Sequence, residues 1–197
     1  SVDLNGKRVA VIGNAASAIQ FIPPVAREAA QVTVYQRSAN YILPRNDRVY
    51  SEQQIDRYRR YPWLLKLSRL AWFLRQELFM FGAMLPGSLR HRLATWVARR
   101  YLEQEISDPN LREVLTPDYP LGCKRILVSD DYYQALARGG IELVTSAIQG
   151  IHERGVVTAD GVERPVDVII FGTGFKATES RVMVTYEPKC FRSPDST

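Results

Sequence analysis

The feature that most narrows the fold is a strand, tight turn, helix and second strand compressed into residues 6 to 45. Arg8 to Ile12 is a short run rich in valine and isoleucine, and Gly13 to Ala16 is a turn of small residues. Ser17 to Ala30 reads as a helix, with Pro23 and Pro24 marking a kink or a broken first turn. Gln31 to Gln36 reads as the second strand. Two strands joined through a helix within about 30 residues form a βαβ unit, and such a crossover implies a parallel sheet.

The remaining chain divides by composition. In residues 51 to 107, Leu67, Leu70, Leu74, Leu78, Phe81 and Leu85 recur at steps of three and four, the period of a helix. Pro86 and Gly87 end that helix, and another runs from Ser88 to about Ile106. Helices packed on the protein are expected. The alternative is a membrane-surface role, since Trp63, Trp72 and Trp96 sit among arginines.

From Asp108 the α/β character returns. Asp108 to Tyr119, with Pro109 and Pro117, reads as a loop. Ser129 and Asp130 are candidate caps for a helix ending at Ala137, stopped by Gly139 and Gly140. Ile141 to Val144 is a strand. Val156 to Thr158, Asp160-Gly161 and Val162 to Arg164 suggest a hairpin. Val166 to Phe171 is an apolar strand entering Gly172-Thr173-Gly174.

The fold class expected is therefore α/β: a Rossmann-like nucleotide-binding domain with a parallel sheet, a helical insertion and a small β-hairpin. Residues 1–50 and 116–178 form the two parts of that domain, 51–115 the insertion, and 179–197 a tail read as loosely attached.

Bulk properties exclude several classes. A net charge of +5 is spread over the chain rather than gathered in one run, so nucleic acid is not the expected partner. No stretch reaches the roughly 18 uninterrupted apolar residues of a membrane span, and membrane association is not expected. Cys123 and Cys190 form no CxxC pair, and His91 and His152 are too scattered for a zinc site, so no metal is expected. The opening residues lead straight into a strand, without the features of a secretory leader. The cytoplasm is the expected location.

Two features carry chemistry. A small-residue turn between strand and helix lets backbone N–H groups meet a pyrophosphate at the helix N-terminus. Gly13, Asn14, Ala15, Ala16, Ser17 and Ala18 occupy that place, with Ala15 where the full fingerprint has its second glycine. A plain strand–turn–helix is the alternative. About 20 residues further on, NAD-binding units carry an acid that grips the ribose hydroxyls. Here the chain reads Tyr35-Gln36-Arg37-Ser38. A carboxylate would repel a 2′-phosphate, whereas a guanidinium can pair with it. Arg37 therefore points to NADP(H) over NAD(H) or FAD, the alternative being a solvated surface arginine.

Together these residues resemble a known family. The runs Gly6 to Gly13, Ser17 to Gln20 and Tyr35 to Arg45 are similar to the second nucleotide-binding fold of Baeyer–Villiger monooxygenases. The resemblance resumes at Gly122-Cys123-Lys124-Arg125, Asp131-Tyr132-Tyr133 and Val168 to Phe175. It implies an enzyme in which NADPH reduces a bound FAD, and the oxygenated flavin then acts on a small-molecule ketone or a heteroatom substrate. It assigns Arg37, Ser38 and Lys124 to the 2′-phosphate. It makes Arg125 the catalytic arginine, a fixed cation beside developing negative charge. Gly13 to Ala18, Gln20, Gly172, Thr173 and Gly174 complete the implied cofactor-binding set. An exposed basic pair and a plain turn are the alternatives for Lys124-Arg125 and for 172–174.

The chain departs from the family pattern in carrying no second glycine-rich unit for FAD and no Phe-Gly-His-Trp pattern before the nucleotide site. The expectation is a fragment lacking the FAD domain. A non-catalytic nucleotide-binding module, a flavoprotein reductase domain and a partner-binding protein using the tryptophan- and arginine-rich helices are the competing readings.

Overall fold

The computed structural model describes residues 2–174. Four parallel strands form the central sheet, in the order β5-β2-β1-β9. They are β1 (Arg8–Ile12), β2 (Gln31–Tyr35), β5 (Ile141–Val144) and β9 (Val168–Phe171). Val9 pairs with Val32 on one side and with Val168 on the other. A strand paired on both edges and covered on both faces must be apolar throughout, as Val9, Ala10 and Val11 are.

Side-chain alternation sends the two sets of β1 residues to different layers. Val9 and Val11 share a buried cluster with Val32, Val34 and the helix α1 (Ala18–Glu28), which contributes Ile19, Ile22 and Val25. Ala10 faces the opposite way and packs with Tyr35, Val144 and Val156. That second face is covered by an antiparallel three-stranded meander: β6 (Ile148–His152), β7 (Gly155–Thr158) and β8 (Glu163–Pro165). The predicted hairpin is thus one half of a larger unit.

The helix α1 runs through Pro23 and Pro24 rather than breaking at them. Each proline removes one N–H donor from the helix. Burial of Ile19, Ile22 and Val25 against β1 and β2 compensates, at roughly 1.5–3 kcal/mol for each large apolar side chain.

Residues 109–115 correct another expectation. The segment read as a loop contains a helix, α5 (Pro109–Leu115). The carboxylate of Asp108 accepts the Asn110 N–H at 3.0 Å, and Pro109 occupies the first turn, where its missing donor costs nothing. The short helix α6 (Tyr132–Ala137) has Asp131 at its N-cap position without a side-chain cap bond, whereas the Tyr132 N–H donates to the Ser129 hydroxyl just before it.

Residues 51–115, read as a helical insertion, hold α2 (Glu52–Arg60), α3 (Pro62–Ala83) and α4 (Leu89–Glu105) ahead of α5. Packing on the protein is true of α4, whose Tyr101 and Leu102 join the main cluster. It is not true of most of α3. Leu67, Leu70, Leu74 and Leu78 are all about half exposed or more, as are Trp63, Trp72 and Phe73. Among the described residues, the C-terminal end of α3 is covered where Phe79 and Ala83 meet Ala94, Ala98, Tyr41 and Leu121. Periodicity reports that a helix forms and is silent on what covers its face.

Two residues of β3 (Ile42–Leu43) pair in parallel with β4 (Leu127–Val128) and tie the segment after β2 to the segment holding Lys124 and Arg125. Glu179 to Thr197, read as a tail, lies outside the described residues, as does Cys190.

Candidate functional site

Because all four sheet strands run the same way, their C-terminal ends share one edge, where α/β sheets open a crevice for ligands. A cleft of about 490 Å³ lies there. Gly13, Asn14 and Ala15 follow β1 into it, Gln36, Arg37 and Ser38 follow β2, and Thr145 to Ala147 follow β5. Gly172 and Thr173 follow β9.

The turn after β1 needs glycine at its first position. Gly13 has φ +105°, and a Cβ built there would lie 2.7 Å from the Gly172 carbonyl oxygen. The Gly13 N–H donates to the Tyr35 carbonyl, and the Gly172 N–H donates to the Ile12 carbonyl. Three strand ends are thereby drawn together. Ala15, by contrast, has no positive φ, so its backbone does not call for glycine.

Next, the turn is latched to the segment after β2. The Asn14 side-chain amide donates to the Gln36 side-chain oxygen and to the Ser38 carbonyl, each at 2.9 Å. The Asn40 amide donates back to the Asn14 carbonyl at 3.0 Å. Asn14 and Gln36 thus hold Arg37 and Ser38 beside the glycine turn. Meanwhile the N–H groups of Asn14, Ala15 and Ala16 donate no hydrogen bond within the described residues. The Ser17 hydroxyl does not cap α1 either. Donors at a helix N-terminus that find no internal partner attract anions.

Lys124 reaches this rim from a distant part of the chain. Its ammonium donates to the Ser38 hydroxyl at 2.7 Å and stands 4.3 Å from the ring centroid of Tyr119. Burial pushes the Tyr119 hydroxyl up to about 12, so it stays neutral, donating to the Ala39 carbonyl at 2.8 Å. A cation over a fixed aromatic face is held in place by the ring's electrostatic attraction.

The other sequence-predicted residues are distributed as follows. Ala18 is buried and packs beside Gly172, a structural place. Ala16, Ser17 and Gln20 lie in or just after the turn without lining the cleft. Gly174, with φ +91°, is exposed at the end of the described residues. Arg125 is exposed, next to Lys124, and does not line the cleft. The wall of Thr145 to Ala147 was missed by sequence reasoning, although β5 was recognised; its place beside β2 is what brings the wall to the site.

No helix among the described residues is long and apolar enough to cross a membrane. No group of three or more His, Cys, Asp or Glu among them could hold a metal ion.

A parallel sheet, a strained glycine turn and a crevice at the strand ends define a dinucleotide-binding α/β domain. Comparison with known proteins is more specific. The chain belongs to the flavin-binding monooxygenase-like family, whose model matches residues 2–180. It is 44% identical over 177 residues to a Baeyer–Villiger monooxygenase of Pseudomonas aeruginosa, covering 90% of this chain and 33% of that protein. A Baeyer–Villiger monooxygenase of Streptomyces coelicolor is 40% identical over 178 residues, covering 90% of this chain and 34% of the relative. Among solved structures, an oxidised steroid monooxygenase bound to NADP superposes with a TM-score of 0.74 at 29% identity. That match covers 88% of this chain and 40% of the other. The chain spans about a third of the length of the curated relatives it matches.

Proposed function

We propose that this chain is the NADPH-binding part of a flavin-dependent monooxygenase of the Baeyer–Villiger type. The observation that carries the reading is Arg37. It lines the cleft beside the unbonded N–H groups of the turn, where an NAD-binding unit would carry a carboxylate. In this reading the turn and the α1 N-terminus receive the pyrophosphate. Arg37, Ser38 and Lys124 hold the 2′-phosphate, with Lys124 already anchored on Ser38. The Asn14–Gln36 latch keeps these groups in place before the cofactor arrives, which lowers the ordering cost of binding.

Flavin supplies the electron transfer and oxygen chemistry of such an enzyme. The described residues contain one strand–glycine–helix turn of this kind, and Arg37 suits it to NADPH rather than FAD. FAD therefore belongs in this reading to a site outside the described residues. Arg125, next to the phosphate-side Lys124, is the cation assigned to the reaction centre. The substrate is a small ketone or a compound with an oxidisable heteroatom.

Calorimetric titration of the 197-residue chain with NADPH and with NADH tests the cofactor assignment. NADPH binding at least about tenfold tighter is expected, the lower end of a charge-assisted hydrogen bond. Equal or tighter binding of NADH would refute it.

A further inference from the structure

A second cleft, of about 830 Å³, shares no lining residue with the first. It lies where the insertion meets the sheet domain, between α3 and the β3–β4 ladder. Its walls are of two kinds. Leu43, Phe79, Ile126 and Val128 supply an apolar floor, and Arg45, Arg48 and Arg75 supply three guanidinium groups.

Charge within the cleft is not balanced. Asp47 is the one carboxylate among the described residues that lines it, and it pairs with Arg45 at 3.1 Å. Neither Arg48 nor Arg75 has an ion pair among the described residues. Arg75 stands over the Trp72 ring, 4.6 Å from the centroid. Stacking of that kind holds a guanidinium while leaving its N–H edge free to donate.

The wall carrying Arg45 is fixed in advance. The Asp130 carboxylate accepts the backbone N–H groups of Arg45, Asn46 and Asp47 at 2.7, 2.9 and 3.0 Å. Its negative charge is held by these N–H groups and acts on Arg45, while neither Arg48 nor Arg75 forms an ion pair with it. The segment from Lys124 to Val128 links the two clefts: Lys124 touches Ser38 on the first, while Ile126 and Val128 line the second. Arg125 falls between them.

We propose that this second cleft binds organic carboxylates with an apolar body, the carboxylate on Arg48 and Arg75 and the body over Phe79, Ile126 and Val128. Apolar floor and unpaired cations together select an amphipathic anion over a bare anion or a neutral oil. The cleft's role as the recess for a keto acid substrate rests on the monooxygenase reading; its binding of carboxylates does not.

The test is titration of the full chain with octanoate, octan-2-one and inorganic phosphate, followed by calorimetry and by the indole N–H signal of Trp72. Octanoate should saturate and shift that signal, with octan-2-one and phosphate each at least about tenfold weaker. Arg48→Ala and, separately, Arg75→Ala should each weaken octanoate about tenfold and leave NADPH affinity unchanged. Both side chains are exposed, so the fold should survive, as circular dichroism would show. No saturable octanoate binding, equal binding of octan-2-one or phosphate, or unchanged affinity in both variants overturns the proposal. Parallel NADPH titration of the same sample keeps the two readings separate: octanoate binding without NADPH binding sinks the cofactor assignment alone.

Discussion

Replacing Gly13 by alanine probes the point on which the first cleft turns. Two separate costs are imposed by a single methyl group. At φ +105° an L-residue is strained by about 1–3 kcal/mol. The new Cβ would also sit 2.7 Å from the carbonyl oxygen of Gly172, whose backbone is held by its own bond to Ile12. Forcing that contact open costs a further 1–3 kcal/mol or so. The total is about 2–6 kcal/mol, which for a chain of this size lowers the Tm by roughly 4 to 24 °C. Gly6→Ala supplies the control, because Gly6 has φ +71° and nothing within 4 Å of a built Cβ. It should show the backbone cost alone, about 1–2 kcal/mol. Thermal melts of the three proteins, with an NADPH titration of each, decide the matter. A Gly13→Ala protein that melts no lower than Gly6→Ala and binds NADPH normally would show that the strand ends are not held as described.

Other perturbations follow from the same contacts. Ser129→Ala removes the buried hydroxyl that accepts the Tyr132 N–H, and should destabilise by about 1 kcal/mol in chemical denaturation. Asp167 is held well below the usual carboxylate range, at about 2, by the Arg8 side chain and backbone N–H. A depressed carboxylate contributes stability above its unfolded value near 4, and that stability is lost as pH falls through about 2. The Tm should therefore drop between pH 4 and 2, and drop less in Asp167→Asn. Ala15→Gly removes an exposed methyl from the cleft mouth and should tighten NADPH binding in calorimetry; equal or weaker binding would count against a phosphate approaching there.

The parts of the fold legible in the sequence are those set by local chemistry. Valine-rich β1, the turn at Gly13 and the apolar face of α1 each follow from neighbours within a few residues. Helix α5 was hidden because Pro109 reads as a loop marker, although Asp108 before it is a strong cap. Ser51 and Gln54 form a capping box that would have revealed α2. The β3–β4 ladder is two residues long and leaves no pattern at all. In the site, Arg37 was readable from its distance to the turn. Lys124 was brought to Ser38 only by the family resemblance, and the Asn14–Gln36 latch and the wall at Thr145 were not readable, because each joins segments that only the folded sheet brings together. Likewise the leucines of α3 announced a helix, but no residue of that helix states whether a partner exists.

The central assignment rests on Arg37 recognising the phosphate that distinguishes the two nicotinamide cofactors. A thermodynamic cycle measures this directly: NADPH and NADH titrated against the native chain and against Arg37→Ala. The account predicts a loss of roughly 10- to 150-fold for NADPH and almost none for NADH. An equal loss for both cofactors, or no loss for either, would contradict it.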